Sequence, residues 1–289
     1  MKVYGFTFIR NAIKFDYPIV EAIKSILPLC DEIIVAVGDS EDDTMQLIKS
    51  IDPKVKVIET VWDDDLREGG RTLALETDKA YAAIPKDADW AFYIQGDEVI
   101  HEKYHENILN SMHKFVSDKN VDGLLFDYLH FYGSYQYVGS SLNWYQDEIR
   151  IVRVNSEIFS YRDAQGFRKY PNNKLNVKKV DASVFHYGWV KPPVKMQDKQ
   201  LSFHKMWHND EWLETNVGSD RIFDYHANVC ELSLFQETHP LVMKNRIMNA
   251  DWSFNYDLKN NKRSFKDYFK IALKKTLNID LRYKNYNIV

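Results

Sequence analysis

Apolar runs alternate with amphipathic segments over the first hundred residues. The continuous apolar run at residues 32–37 is typical of a strand that is covered on both faces, residues 2–9 predict a buried strand, and further strands are predicted at residues 54–60 and 90–94. Between the first two runs, Ile19, Ile23, Ile26 and Leu27 recur at helical spacing, and further helices are predicted up to about Ser50 and over residues 71–84. This alternation predicts an α/β fold with a mostly parallel central sheet flanked by helices.

Charged residues follow each of the four predicted strands. The four groups are Arg10, Asp39, the acids at 63–65, and the pair Asp97 and Glu98. Ligands of open α/β sheets bind beyond the carboxyl ends of the strands. We therefore expect these side chains to converge around a charged ligand.

The regular alternation of predicted strands and helices ends at about residue 122. Strands are predicted at 122–132 and 148–154, and eight aromatic residues lie between Phe126 and Tyr145. The segment "HYGWVKPP" (186–193) predicts a turn-rich stretch that is followed by helices. Because the C–H face of a sugar packs on flat rings, the aromatic segment favours carbohydrate binding.

Composition narrows the class of protein. The chain of 289 residues is 45% apolar, which suits one large domain or one domain with an appendage. No window approaches the roughly 18 apolar residues of a membrane span, and the N-terminus lacks the apolar core of a signal peptide. Two cysteines provide no disulfide framework. A cytoplasmic protein is expected.

Charge is unevenly distributed along the chain. The net charge is −4, but residues 259–289 carry +7, which leaves −11 on the rest. Residues 260–279 predict a basic helix with an apolar side formed by Phe265, Phe269, Ala272, Leu273 and Leu277. Such a helix favours peripheral contact with an anionic inner membrane face, although a terminal helix packed on the domain is an open alternative. A negative net charge and no recognition motif argue against nucleic acid.

Residues 101–105, "HEKYH", match the H-E-x-x-H pattern of zinc peptidases. A helix would place both imidazoles on one face. However, Lys103 and Glu106 occupy positions that such helices usually keep uncharged, and the α/β pattern makes this segment the start of the helix after the fourth strand. A zinc-dependent hydrolase that uses this segment is kept as the alternative function.

Four segments of the first hundred residues together resemble family 2 glycosyltransferases of the GT-A fold, in the order of that family. They are "FTFIRNA", "DEIIVAVGDSEDDT", "GGRTLALETDKA" and "DADWAFYIQGDEVI", and they cover about a third of the chain. The resemblance, closest in kind to bacterial cell-surface polysaccharide and lipopolysaccharide enzymes, implies transfer of a sugar from a nucleotide diphosphate sugar to a hydroxyl of a glycan or glycolipid. It implies inversion and assistance by Mn²⁺ or Mg²⁺.

The resemblance assigns roles to residues of the first half. Arg10 and Asp39 are expected at the nucleotide, Arg71 at the diphosphate, and Asp97 at the cation. Gln95 stands where the first Asp of the family's D-x-D motif belongs. This departure leaves metal dependence open, and it keeps a non-catalytic sugar-binding module of the same fold as an alternative.

The second half supplies candidates for the acceptor side. His186 in "HYGW" resembles a late histidine that some GT-A enzymes use as an extra metal or phosphate ligand. An inverting transfer requires a carboxylate that takes the proton of the acceptor hydroxyl. Candidates for this base are, in order, Asp147, Glu148 and Asp163, and candidates for stacking on the acceptor are Trp144 and Trp189.

The expected domain organisation has two parts. A GT-A catalytic domain covers residues 1–235, with the nucleotide-sugar half at about 1–120 and the acceptor half at about 121–235. A basic helical extension follows at residues 236–289.

Overall fold

The predicted strands and helices of the first hundred residues are present, and later strands extend the same sheet. The computed structural model describes residues 1–142, 144–217, 222–229, 231–262, 276 and 283–289. The strands are β1 (Val3–Ile9), β2 (Glu32–Gly38), β3 (Val55–Thr60), β4 (Trp90–Tyr93), β5 (Glu98–Ile100), β6 (Gly123–Tyr132), β7 (Tyr137–Gly139), β8 (Asp147–Arg153), β9 (Ile158–Tyr161), β10 (Gly166–Lys169), β11 (Asn173–Trp189), β12 (Leu232–Leu234) and β13 (Tyr286–Ile288). The α-helices are α1 (Ile19–Ile26), α2 (Thr44–Lys49), α3 (Arg71–Ala82), α4 (His105–Phe115), α5 (Pro193–Lys205), α6 (Asp210–Asn216) and α7 (Lys244–Met248).

The central sheet has the order β3-β2-β1-β4-β8-β6-β11 and continues into the β10-β9 hairpin. Strands β3, β2, β1 and β4 are parallel to one another. Strand β8 is antiparallel to both β4 and β6, and β11 is parallel to β6. One reversed strand thus lies within an otherwise parallel series, and the predicted α/β class is confirmed.

Both faces of the sheet are buried, as the continuous apolar runs predict. Along β4, Trp90 and Phe92 join the core beneath α1 and α4, whereas Ala91 and Tyr93 join the core beneath α3. All four side chains are inaccessible to solvent. Burial on two faces explains why β4 has no polar position until it ends.

The end of β11 differs from the sequence prediction. Residues 186–189 of "HYGWVKPP" continue the 17-residue strand β11, and only the residues after Trp189 leave the sheet. Pairing of β11 with β6 through His186↔His130 and Trp189↔Tyr132 keeps this segment extended. The prediction of a turn from His186 onward was therefore wrong.

Contacts between strands and side chains span the boundaries predicted near residues 120 and 235. Strand β13 pairs with β11, and Phe254 packs edge-on against Tyr132 with ring centroids 6.0 Å apart. The predicted basic helix, with Phe265, Phe269, Ala272, Leu273 and Leu277, lies outside the described residues. No helix within the described part of the chain is long and apolar enough to cross a membrane.

Candidate functional site

A cleft of about 1060 Å³ opens where the parallel strands end. Arg10 follows β1, and Gln95 and Asp97 follow β4. The carboxyl ends of β6 and β11 also reach this edge, and the reversal of β8 brings the beginning of that strand to the same place. Helix α5 forms the opposite wall with residues 198–205.

Asp97 is the charged centre of the cleft. Its Oδ2 accepts a hydrogen bond from Lys199 Nζ on α5 at 3.0 Å, and its Oδ1 lies 3.7 Å from His186 Nε2 on β11. Burial raises the pKa of Asp97, but its interactions with neighbouring groups, led by the charge of Lys199, outweigh that effect, and the pKa lies well below its ordinary value. The carboxylate is therefore ionised at neutral pH.

His186 continues into a second histidine. Its Nδ1 lies 3.1 Å from His130 Nδ1 on the neighbouring strand β6, and His130 Nε2 lies 3.1 Å from the carbonyl oxygen of Tyr145. Burial lowers the pKa of both histidines, and it lowers the pKa of His130 further. Burial therefore favours the neutral form of both rings.

Glu98, unlike its neighbour Asp97, does not line the cleft. Its carboxylate forms a two-pronged ion pair with Arg150, with distances of 2.7 and 2.6 Å, and accepts a hydrogen bond from the Tyr128 hydroxyl. The Gln95 backbone N–H also donates to it at 3.1 Å. This ion pair is fully buried and joins the loop that contains Gln95 and Asp97 to strand β8.

The two adjacent acids at the start of β8 have opposite surroundings, because successive residues of a strand face opposite sides. Glu148 lines the cleft, whereas Asp147 pairs with Lys179 at 2.9 Å outside it. Burial raises the pKa of Glu148 to about 8. Asp163 also lines the cleft, and burial raises its pKa too.

Among the predicted nucleotide-binding residues, Arg10 and Gln95 line the cleft, but two others do not. Asp39 lines an adjoining cavity of about 390 Å³ and is joined to the cleft by Arg10, whose Nη2 lies 3.3 Å from Asp39 Oδ2. Arg71 begins α3 on the exposed side and faces Glu68 at 3.7 Å. The expectation that Arg71 reaches this cleft is therefore not met.

The predicted acceptor rings meet in the cleft. Trp144 and Trp189 stand edge to face with ring centroids 6.1 Å apart, and both line the cavity. Tyr145, half exposed, lies beside them. The aromatic segment between Phe126 and Tyr145 thus contributes one wall of this site.

The donor set fits a divalent cation in its chemistry. Asp97 offers a carboxylate oxygen and His186 an imidazole nitrogen, and these two atoms are 3.7 Å apart. The positively charged ammonium of Lys199 contacts the same carboxylate. Across the described ranges no group of three or more His, Cys, Asp or Glu side chains is arranged to hold a metal. A cation here would complete its shell with phosphate oxygens and water, as Mg²⁺ does.

Comparison with known proteins gives structural matches only. No family model and no curated protein matches the sequence. The N-terminal 349 residues of TarS from S. aureus, solved in complex with UDP, match at 14% identity and a TM-score of 0.37, over 70% of this chain and 64% of that one.

Two synthases match over a smaller part of the chain. Glucosyl-3-phosphoglycerate synthase from Mycobacterium tuberculosis, solved with Mn²⁺, UDP and glucosyl-3-phosphoglycerate, shares 19% identity at a TM-score of 0.30, over 46% of this chain and 45% of that one. Mannosyl-3-phosphoglycerate synthase from Rubrobacter xylanophilus shares 17% identity at 0.31, over 47% and 42%.

These matched proteins are GT-A glycosyltransferases. The matched region spans less than two thirds of each of them. Because the TM-scores and identities are low, the reaction proposed below depends on the residues of the cleft.

The geometry of "HEKYH" does not favour the zinc alternative. His101 Nε2 pairs with the Thr238 hydroxyl at 2.9 Å, and His105 Nε2 lies 2.9 Å from the Ser25 carbonyl oxygen. Helix α4 begins only at His105, so His101 precedes it and the two imidazoles do not share a helix face. Glu102 accepts a hydrogen bond from the Leu241 N–H instead of facing a metal.

Sequence reasoning missed two residues at the centre of the site. Lys199 carried no motif, and only the packing of α5 across the cleft reveals that it contacts Asp97. His130 lay within the aromatic segment and became visible as a partner of His186 only through the pairing of β6 with β11. The available sequence signal for Lys199 was its positive charge on the predicted helical segment after "HYGWVKPP".

Proposed function

We propose that this protein is a glycosyltransferase that moves a sugar from a nucleoside diphosphate sugar to a hydroxyl of a glycan or glycolipid. The observation that carries the proposal is the meeting of Asp97, His186 and Lys199 with Glu148 in one cleft at the carboxyl ends of the strands. The cleft combines charges suited to a diphosphate with an acid suited to proton transfer.

The donor would bind on the side of Asp97. Asp97 and His186 would hold a divalent cation, which would supply positive charge to the diphosphate oxygens as they leave the sugar. Lys199 replaces Arg71 as the protein cation nearest to that position, because its Nζ is already inside the cleft. Arg10 and Asp39 would bind the nucleoside part at the rim.

Glu148 is the preferred general base. The acceptor oxygen forms a bond to the anomeric carbon while the bond from that carbon to the diphosphate breaks, and Glu148 takes the hydroxyl proton. Asp147, the first candidate from the sequence, faces Lys179 outside the cleft. Attack opposite the leaving diphosphate would invert the anomeric centre.

The acceptor would pack on Trp144 and Trp189, whose rings line the same cleft as Glu148. Flat aromatic rings suit a sugar of the acceptor. The +7 charge of residues 259–289 fits an acceptor carried on an anionic membrane face, as in the assembly of cell-envelope polysaccharides.

Calorimetric titration of nucleoside diphosphates, UDP among them, tests this proposal. In the presence of Mn²⁺ at least one of them should bind, and Asp97→Asn should weaken that binding at least tenfold while the protein remains folded. Failure of every nucleoside diphosphate and nucleotide sugar to bind would contradict the proposal. Binding without turnover for any acceptor would indicate a sugar-binding module instead of an enzyme.

A further inference from the structure

The backbone carbonyl of Tyr145 determines which nitrogen of His130 carries a proton. A carbonyl oxygen can only accept a hydrogen bond. The 3.1 Å contact between His130 Nε2 and Tyr145 O therefore requires a proton on Nε2. His130 is 95% buried, and its two nitrogens face a carbonyl oxygen and a second imidazole, so a second proton would leave an unpaired buried charge; its Nδ1 therefore keeps a lone pair and acts as an acceptor.

The protonation of His130 in turn determines that of His186. The two Nδ1 atoms are 3.1 Å apart, so one of them must donate. Since His130 Nδ1 accepts, His186 Nδ1 donates, and a neutral His186 then has a lone pair on Nε2. The opposite tautomer of His186 would leave two lone pairs facing each other at 3.1 Å in a buried place.

The lone pair on His186 Nε2 is directed to the position of the proposed cation. This nitrogen lies 3.7 Å from Asp97 Oδ1 and opens on the cleft. Gly188 keeps the space clear, because a Cβ at that residue would lie 2.5 Å from His186 Nε2 and 2.6 Å from Asp97 Oδ2. The register His186↔His130 between β11 and β6 holds both rings on one face of the sheet.

We infer that His130 is a positioning residue that fixes the tautomer of His186, so that Nε2 is ready to bind a divalent cation together with Asp97. This inference rests on the cation-binding part of the proposed function. Histidines that bind metals usually donate their other N–H to a fixed acceptor, which orients the ring and raises its basicity. Here a second imidazole, itself fixed by a backbone carbonyl, is that acceptor.

Nitrogen NMR of the metal-free, nucleotide-free protein tests the tautomer directly. Spectra of protein with ¹⁵N-labelled histidine should show His186 with its proton on Nδ1 and His130 with its proton on Nε2. In His130→Met, the two tautomers of His186 should both be populated. A proton on Nε2 of His186 in the unchanged protein would overturn the inference, whether or not the protein turns over nucleotide sugars.

Two substitutions of similar size separate the acceptor from the packing of the ring. His130→Gln keeps an oxygen that can accept from His186 Nδ1, and His130→Met has nearly the same shape without that acceptor. Mn²⁺ affinity, followed by electron paramagnetic resonance, should fall about 10- to 100-fold in His130→Met, as for lost outer-shell partners of metal sites. His130→Gln should retain most of the affinity.

Equal Mn²⁺ affinities of these two variants would overturn the inference. Thermal unfolding of both, compared with the unchanged protein, verifies that each is folded during the titration. Absence of Mn²⁺ binding in the unchanged protein would overturn both this inference and the cation-binding part of the proposed function. Mn²⁺ binding with the expected tautomer but without any nucleotide binding would contradict the proposed function alone.

Discussion

At the scale of single residues, the contrast between Glu148 and Asp147 allows a test of the proposed base. Glu148→Gln keeps the shape of the side chain but removes its capacity to take a proton. We expect a loss of about 10²- to 10⁴-fold in kcat, the usual contribution of a general base. Asp147→Asn should lose less than about tenfold, because that acid faces Lys179 outside the cleft. The reverse order in a steady-state transfer assay would restore Asp147 as the base.

The pH dependence follows from the same residue. Burial raises the pKa of Glu148 to about 8, and a base acts only in its deprotonated form. The value of kcat/KM should therefore rise with pH and level off above about 8, and Glu148→Gln should abolish this rise. A profile that is flat between pH 6 and 9 would exclude Glu148 as the base.

Lys199 is the residue that we expect to bind the diphosphate. Removing one charge-assisted hydrogen bond costs about 1.5–3 kcal/mol, so Lys199→Ala should weaken nucleoside diphosphate binding about 10- to 100-fold when Mn²⁺ is present. Lys195→Ala is the control, because Lys195 lies one turn away on α5 and its Nζ contacts the Lys14 carbonyl oxygen. Calorimetry giving equal affinities for both variants would contradict the role of Lys199.

Single residues also show how far the sequence allowed prediction of the site. Asp97 and His186 were named from their motifs, and the fold brings them within 3.7 Å. Arg71 was named from the same resemblance, but α3 begins with Arg71 on its exposed side. Lys199 and His130 had no motif, because their positions depend on packing between distant segments. A motif specifies a local chain, whereas a contact requires the tertiary fold.

At the scale of elements, the segment before α3 contacts the segment that follows α5. Gly70 has a φ of +70°, and a Cβ there would lie 2.7 Å from Asp163 Cβ and 2.9 Å from the Trp207 ring. Gly69 has a φ of +57° but an open surrounding. The two glycines share the backbone strain and differ in the available space.

Alanine at these two glycines separates strain from steric clash. Gly69→Ala should lower the free energy of unfolding by about 1–2 kcal/mol through the left-handed backbone alone. Gly70→Ala should cost a further ~1–3 kcal/mol through overpacking and should also weaken nucleotide binding, because it displaces the segment that follows α5. Urea unfolding measures both changes, and equal losses would contradict the proposed contact.

Elements were predictable where both faces of a strand or one face of a helix had a regular pattern. Strand β2 was expected at residues 32–37 and is Glu32–Gly38. The end of β11 was mistaken for a turn because Gly188 and two prolines follow one another closely. In the fold, β6 pairs with this segment, and the small Gly188 is required by the close approach of Asp97 and His186.

At the scale of the whole molecule, the predicted nucleotide half pairs with strands from beyond residue 120. Strand β4 pairs with β8, and β5 pairs with β11, so both depend on residues beyond 120. A truncated chain of residues 1–120 would expose the edges of these strands and part of the core around Trp90 and Phe92. We expect no cooperative unfolding transition in tryptophan fluorescence. A cooperative transition together with nucleotide binding would contradict this.

The central claim is that a nucleoside diphosphate binds where Asp97, His186 and Lys199 meet. A crystal structure of the protein with Mn²⁺ and the nucleoside diphosphate that binds most tightly is its most direct test. The account predicts the cation on Asp97 and His186, the diphosphate against Lys199, and the nucleoside toward Arg10 and Asp39. A nucleotide bound elsewhere, with the Asp97–Lys199 pair unchanged and the cleft free of ligand, would contradict it.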